Sequence, residues 1–328
     1  MRIISSSVCI SEKAGSIIRD IMKAGNLNIV DKGLNDMQTE ADRSSEKCIV
    51  KSLVHRFPKL TVIGEENLGT NYDVPEDWIV TKEDENILQK PCPPEFSNIK
   101  EEDLVVWVDP LDGTSEFTQG LVDHVTILVG LSINGKAIGG VIHQPFFNYT
   151  VGTYIFHLHL SYSKIKVQNS MNTIGRTVWG LNGLGVFGIK QKLPPPDKMI
   201  VITTRSHTND QINKSVEAFS ADNVVRVGGA GNKVLQLIEG KAHAYVFASR
   251  GCKKWDTCAP EAILSCLGGR MTDCLGNDLT YHPNKNHTNE LGVLASYTKS
   301  KHEQYCSKIP DDVKSFLLKK SQSIFKCF

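Results

Sequence analysis

The chain has 328 residues, of which 37 are Lys or Arg and 36 are Asp or Glu, so its formal net charge is only +1. This balance provides no general electrostatic field for binding nucleic acid or an anionic membrane, and we expect neither as a partner. Hydrophobic residues make up 40% and charged residues 22%, as in ordinary globular proteins, and no apolar run approaches the roughly 18 residues that span a bilayer.

The cysteine pattern predicts a reducing compartment. The nine cysteines are odd in number and widely scattered, unlike those of a disulfide-stabilised scaffold, so we expect reduced thiols. The first residues contain only a short apolar run around Arg2 before serines and charges follow, which differs from the apolar core of a signal peptide. Both observations predict a cytoplasmic protein.

Two helices are predicted near the N-terminus. Apolar residues at helical spacing between positions 14 and 22 predict a first helix that ends at Gly25. Thr39 followed three residues later by Asp42 is a helix start signal, and the apolar positions that follow predict a second helix over about residues 40–56.

Two short apolar runs then predict buried strands, each of which ends at acidic residues. The run LTVI at 60–63 is followed by Gly64 and two glutamates, and the run LVVWV at 104–108 leads directly into the sequence DPLDGT. Between them, residues 70–103 mix charges and prolines with little periodicity beyond a possible short helix, which predicts a surface excursion.

The remaining chain predicts two different kinds of sheet. Residues 125–133 and 136–144 flank Asn134-Gly135, a strong hairpin signal that indicates an antiparallel sheet. After three prolines at 194–196, strand-like segments at 199–204 and 244–248 alternate with helical segments, the first of them near 232–239. This alternation predicts an α/β half that begins near residue 197.

The motif from Asp109 to Thr114 predicts a metal site. The proline after Asp109 restricts the backbone and Gly113 frees the turn, so that the carboxylates of Asp109 and Asp112 and the Leu111 carbonyl can converge. Oxygen-only ligation suits a hard cation such as Mg²⁺. The alternative is an acidic turn that only caps the next segment, because Asp and Gly are common in turns.

Two further acids follow apolar elements in the same way. Glu65 comes directly after the first predicted strand, and Asp256 precedes an apolar helical run. Taken singly, Glu65 could be a solvated loop residue and Asp256 a helix cap. Ligands of α/β proteins collect where apolar elements end, which favours a shared site for these acids.

Longer motifs carry a resemblance to a known family. GEEN at 64–67, WVDPLDGT at 107–114 and WDTCAPEAIL at 255–264 resemble the metal-dependent, lithium-sensitive phosphatase superfamily of inositol monophosphatase. Within it, TTRSH at 203–207 and the segment VGGAGNKVLQLIEGKAHAYVF at 227–247 resemble the 3′(2′),5′-bisphosphate nucleotidases.

The resemblance covers nearly the whole chain and implies a fold. That fold is a layered αβαβα sandwich, combining α+β and α/β parts. Residues 1–196 would form an N-terminal α+β half with an antiparallel sheet and the metal site, and residues 197–328 a C-terminal α/β half with the nucleotide contacts. A stretch at about 153–172 is extra relative to the family.

The resemblance also implies the metal ligands. Glu65, Asp109 and the Leu111 carbonyl would bind a metal ion that activates water, while Asp109, Asp112 and Asp256 would bind a second ion facing the leaving oxygen. The implied cofactor is Mg²⁺, two or three ions. Physical chemistry agrees, because clustered carboxylates repel one another and raise their pKa values unless divalent cations neutralise them.

Two residues resemble the catalytic pair of the family. Thr114 would hold the attacking water, with its hydroxyl oriented by Asp42. From the residues alone, the spacing of Thr39 and Asp42 favours a helix cap, and the resemblance reverses that preference.

The substrate-contacting residues implied by the resemblance are Thr204, His207, Gly229, Lys233 and Asp256. Without the resemblance, the glycine-rich turn at 228–231 could be only a turn, and His207 carries no independent sign of catalysis. With it, Lys233 would serve as a point charge for a substrate phosphate.

The resulting hypothesis is a Mg²⁺-dependent phosphomonoesterase acting on a small molecule. It would remove the 3′-phosphate of adenosine 3′,5′-bisphosphate, giving AMP and phosphate. One alternative is an inositol phosphate phosphatase, similar to inositol polyphosphate 1-phosphatase and acting on inositol bisphosphates. Another is a catalytically silent nucleotide-binding sensor, although each expected metal ligand is present. The sequence does not give the oligomeric state.

Overall fold

A computed structural model describes residues 1–33, 36–69, 72–149, 174–284 and 286–325. The stretch at about 153–172, predicted to be extra, lies outside the described residues.

The N-terminal part forms the elements that carry most of the predicted metal ligands. In chain order these are α1 (Arg2–Ala24), β1 (Val30–Gly33), β2 (Asp36–Gln38), α2 (Glu40–Arg56), β3 (Thr61–Gly64), α3 (Glu85–Leu88), β4 (Leu104–Asp112), α4 (Thr114–Thr118), β5 (Thr126–Ile133), β6 (Lys136–Gln144), β7 (Arg176–Leu181) and β8 (Gly185–Phe187). The predicted end of α1 is confirmed, because Gly25 takes a left-handed conformation (φ 75°) and its N–H caps the last turn. The predicted bounds of α2 are also confirmed.

The C-terminal part alternates strands and helices as predicted, but the helix at 210–218 and the strand at 223–227, which precede the predicted helix near 232–239, were missed. Its elements are β9 (Ile200–Thr204), α5 (Asp210–Ala218), β10 (Asn223–Val227), α6 (Ala230–Ile238), β11 (Ala244–Phe247), α7 (Lys254–Cys266), β12 (Arg270–Thr272), β13 (Val293–Ser296), α8 (Lys299–Lys308) and α9 (Asp311–Phe325). They build a five-stranded sheet of order β10-β9-β11-β13-β12, in which β9 runs parallel to β10 and β11.

The first large sheet has six strands in the order β3-β4-β5-β6-β7-β8, with β3 parallel to β4 and the other pairs antiparallel. The predicted hairpin at Asn134-Gly135 joins β5 to β6, with both residues at positive φ. The prediction of a buried strand at 60–63 is wrong. β3 lies at the edge of the sheet, where Thr61 is exposed and the next three residues are half-buried.

Helices and sheets stack in five layers. Helices α1 and α2 pack on one face of the six-stranded sheet, and α7 packs against β5 and β6 on the other face. Helix α6 packs beside α7 and contacts β11 of the five-stranded sheet, while α5 and α8 cover that sheet from outside. The αβαβα sandwich expected from the sequence is confirmed.

Close packing against the six-stranded sheet fixes the position of α7, which carries Asp256. A Cβ atom added at Gly130 would lie 2.6 Å from the Ala259 nitrogen, and one added at Gly140 would lie 2.7 Å from the Ala259 Cα. The helix backbone therefore rests directly on the sheet, in a space that only glycine leaves open. This contact brings the first turn of α7 to the ends of the neighbouring strands.

Candidate active site

The end of β4 presents the predicted motif in a buried turn. Asp109 is 2% and Asp112 7% exposed, and the pairing of β4 with β5 shifts register between these two residues. The Leu111 N–H donates to Asp109 Oδ1 at 3.0 Å. Gly113 then takes a positive φ of 96°, and α4 begins at Thr114. The irregular turn leaves the two carboxylates close enough for Asp112 to raise the pKa of Asp109.

Three of the predicted ligands meet at one point. One oxygen each of Glu65, Asp109 and Asp256 lie within 4.8 Å of one another. Glu65 follows β3, Asp109 lies near the end of β4 and Asp256 stands in the first turn of α7, so three separate elements converge. A set of three carboxylates fits a hard divalent cation.

Cationic side chains compensate this cluster only in part, the Lys32 ammonium lying 3.8 Å from Glu65 Oε1. Burial, followed by repulsion from Asp256, raises the pKa of Glu65 well above its ordinary value. Burial and repulsion from Glu65 do the same to the pKa of Asp109. Burial raises the pKa of Asp256 to about 7, although its carboxylate accepts the Lys253 N–H at 2.7 Å. A bound cation would lower these pKa values again, because it favours the ionised carboxylates.

Asp112 lies beside the cluster, and its carboxylate also accepts hydrogen bonds from the start of α6. Its Oδ1 accepts the N–H of Ala230 at 2.6 Å, and its Oδ2 accepts the N–H of Gly231 at 2.8 Å and the hydroxyl of Thr126. A carboxylate at a helix N-terminus is favourable because it meets unpaired N–H groups. Asp112 therefore links the end of β4 to the start of α6, and burial raises its pKa while nearby Lys233 opposes the rise.

The predicted catalytic pair is in direct contact. The Thr114 hydroxyl lies 2.8 Å from Asp42 Oδ1 and 3.1 Å from the Leu111 carbonyl oxygen. Asp42 Oδ2 also accepts the Thr39 N–H at 2.7 Å, so this residue caps α2 with one oxygen and meets Thr114 with the other. Burial raises the pKa of Asp42 to about 6, although the bonds from Thr39 and Thr114 oppose the rise.

The predicted substrate contacts lie at the ends of two adjacent parallel strands. Thr204 ends β9, and its hydroxyl accepts the His207 N–H at 3.2 Å. Gly229 follows β10 and precedes α6 with a φ of 70°, where an added Cβ would lie 2.5 Å from the His124 carbonyl oxygen. Lys233 is 5% exposed, and its ammonium donates to the Gly229 carbonyl at 3.1 Å. Gly229 and Lys233 therefore lie next to Asp112, while Thr204 and His207 lie at the end of the neighbouring strand β9.

Some residues that build the site were not predicted. Thr126 pairs with Asp112 in the register of the antiparallel strands β4 and β5, so this register identifies it. Arg205 reaches Glu116 at 3.5 Å and Gln119 at 2.7 Å, which joins the loop after β9 to α4. The sequence carries no local signal for that contact.

Comparison with known proteins agrees with this arrangement. The model of the inositol monophosphatase family matches residues 2–314 of the chain. The chain belongs to the inositol monophosphatase family. Members of this family are generally metal-dependent phosphatases, which agrees with the carboxylate cluster and with the donor atoms it offers.

Relatives within the family match over nearly the full length. The chain is 50% identical over 319 residues to 3′(2′),5′-bisphosphate nucleotidase 1 of Homo sapiens, covering 97% of each. It is 36% identical over 311 residues to 3′(2′),5′-bisphosphate nucleotidase 1 of Dictyostelium discoideum, covering 93% of this chain and 95% of the relative. Among solved structures, extragenic suppressor protein suhB from Bartonella henselae has a TM-score of 0.66 at 18% identity, covering 95% of this chain and 99% of that one.

Within the described part of the chain, no helix combines the length and the apolar character that crossing a membrane requires.

The Asp256→Asn substitution tests whether the Asp256 carboxylate destabilises the folded protein when no metal is bound. Because the pKa of Asp256 rises from 3.8 to about 7 on folding, the folded protein binds more protons than the unfolded chain in that interval, and Asp256 costs stability as the pH rises through it. In EDTA, we expect the variant to gain thermal stability relative to the wild type at pH 8 and much less at pH 5. In saturating Mg²⁺ the wild type should be the more stable of the two.

The matched control is Asp123→Asn, which changes an exposed carboxylate. It should give no pH-dependent gain in EDTA. A gain for Asp256→Asn that is equal at pH 5 and pH 8 would contradict the assignment of strain to this carboxylate.

Proposed function

We propose that the protein is a Mg²⁺-dependent phosphomonoesterase that removes the 3′-phosphate of adenosine 3′,5′-bisphosphate and releases AMP and phosphate. The observation that carries the proposal is the convergence of Glu65, Asp109 and Asp256 beside the contact between Thr114 and Asp42. The 50% identity to a relative named for bisphosphate nucleotidase activity supports the choice of substrate.

The proposed metal ligands are those that the sequence suggested. Glu65, Asp109 and the Leu111 carbonyl would hold one ion, and Asp109, Asp112 and Asp256 another, with two or three ions in total. When bound, divalent cations acidify water and stabilise negative charge on both the attacking and the leaving oxygen. The oxygen-only donor set favours Mg²⁺ over softer metals.

Thr114 and Asp42 are proposed to orient the attacking water. A hydroxyl has one proton, and the shorter of the two contacts of Thr114 is to Asp42 Oδ1, to which it would donate that proton. The Thr114 oxygen would then accept a hydrogen bond from water and so orient a water lone pair toward the phosphorus. Because the pKa of Asp42 is about 6, its carboxylate is ionised and able to accept at pH 7.5.

The residues around α6 are proposed to hold the substrate. The turn at Gly229 offers a close backbone approach, and Thr204 and His207 lie at the neighbouring strand end, where ligands of α/β sheets bind. Lys233 would contribute positive charge toward a substrate phosphate, and Asp256 would face the leaving oxygen. Contacts remote from the reacting phosphate can raise kcat as well as lower KM.

Inositol phosphates are a second candidate substrate class. The family model is that of inositol monophosphatases, and the carboxylate cluster alone does not distinguish one phosphate monoester from another. Discrimination between the two substrate classes would depend on the residues at the ends of β9 and β10, since these are not metal ligands and could contact the rest of the substrate.

The reaction is also proposed to take place in the cytoplasm. Eight cysteines of the described part are free thiols, and structural disulfides are rare in that compartment.

Substrate choice is tested by measuring phosphate release from adenosine 3′,5′-bisphosphate and from inositol 1-phosphate, each in Mg²⁺ and in EDTA. We expect kcat/KM for the bisphosphate to exceed that for inositol 1-phosphate by about 100-fold or more, because remote contacts contribute to transition-state binding. The nucleotide product should be AMP. A preference for inositol 1-phosphate would favour the second candidate, and tight binding of the bisphosphate without turnover would indicate a silent sensor.

The role of Thr114 is tested by a pair of substitutions. Thr114→Val removes the hydroxyl at nearly constant volume, and we expect kcat to fall about 100-fold or more, as for loss of a group that positions a proton transfer. Thr114→Ser retains the hydroxyl and should stay within about tenfold of the wild type. Equal activities of the two variants would remove Thr114 from the mechanism.

A further inference from the structure

Glu46 is a buried acid on α2 that the proposed mechanism does not use. It follows Asp42 by four residues, so both side chains project from the same face of the helix. Glu46 is 1% exposed. A carboxylate so deeply buried is costly unless hydrogen bonds compensate it, which raises the question of what it binds.

The carboxylate of Glu46 holds the loop that carries Glu65. Its Oε2 accepts the Glu66 N–H at 2.8 Å, and its Oε1 is 3.3 Å from the Leu68 nitrogen, which also donates to it. One side chain thus bridges two backbone groups on the C-terminal side of Glu65. An apolar residue at position 46 would leave both donors without this acceptor.

The same carboxylate also fills the space on the other side of Glu65. A Cβ atom added at Gly64 would lie 2.5 Å from the Glu46 carboxyl carbon and 2.6 and 2.8 Å from its two oxygens. Gly64 pairs with Val108 at the end of β3, and the Glu65 N–H donates to the Val108 carbonyl at 3.0 Å. The backbone of Glu65 is therefore held between strand pairing and the Glu46 carboxylate.

We propose that Glu46 is a positioning residue for the metal site: it fixes the backbone on both sides of Glu65 and so aims that carboxylate at Asp109 and Asp256. Helix α2 then sets two parts of the site from one face, because Asp42 contacts Thr114 and Glu46 holds the Glu65 loop. The inference rests on the proposed function, in which Glu65 is a metal ligand.

The test measures Mn²⁺ binding to the full chain by electron paramagnetic resonance of the free ion. Glu46→Gln keeps the volume but presents an amide group to one of the two N–H donors. We expect the tightest Mn²⁺ site to weaken by about 10- to 100-fold, the usual loss when a residue that orients a metal ligand is changed. Gly64→Ala disturbs the same contact from the opposite side and should weaken this site similarly, which gives a second variant if one folds poorly.

Ser52→Ala is the matched control. Ser52 is a buried polar residue of the same helix, and its hydroxyl accepts the Val80 N–H at 2.9 Å, away from the carboxylates. We expect this variant to lose thermal stability while its Mn²⁺ affinity stays within about twofold of the wild type. If folded Glu46→Gln and Gly64→Ala also keep wild-type Mn²⁺ affinity, the role of Glu46 is only structural and the proposal is overturned.

This readout separates the two proposals. If the wild type binds Mn²⁺ and loses affinity on Glu46→Gln but does not hydrolyse the bisphosphate, the positioning role stands and the proposed function fails. If the wild type hydrolyses the bisphosphate and the Mn²⁺ affinity is unchanged in the variants, the proposed function stands and the positioning role of Glu46 fails.

Discussion

Repulsion among clustered carboxylates is the constraint on which the rest of this structure depends. Glu65, Asp109 and Asp256 approach within 4.8 Å of one another, with Asp112 beside them. Without a cation this arrangement raises the pKa values of the carboxylates and opposes folding at neutral pH. Interactions elsewhere in the protein must therefore hold these carboxylates together. A divalent cation would relieve their repulsion, and this relief would contribute to the free energy of metal binding.

Those forces come from packing and from backbone hydrogen bonds. The apolar sheet strands place the ends of β3 and β4 side by side, and α7 rests on Gly130 and Gly140 so closely that Asp256 has little freedom to withdraw. Asp112 accepts two N–H groups from the start of α6, which connects the carboxylates to the turn at Gly229. The metal site and the proposed substrate site thus share one hydrogen-bonded unit.

Local patterns predicted much of this arrangement, and non-local contacts account for the rest. The ends of α1 and α2, the hairpin at Asn134-Gly135 and the acidic turn at the end of β4 follow from glycine, capping and alternation signals that act within a few residues. The burial of β3 was mispredicted, because its position at the edge of the sheet depends on the order of the strands, which a local pattern does not give. Glu46 was missed for a similar reason, since its partners lie some 20 residues away and become its neighbours only when α2 packs beside β3.

The central claim is that Glu65, Asp109 and Asp256 together bind a divalent cation. The most direct measurement is anomalous diffraction at the manganese edge from crystals of the wild type and of Asp109→Asn, both equilibrated with Mn²⁺. The account predicts a strong anomalous peak among the three carboxylates in the wild type and its loss or marked weakening in the variant. A wild-type map with no peak there, or an equal peak in the variant, would contradict it.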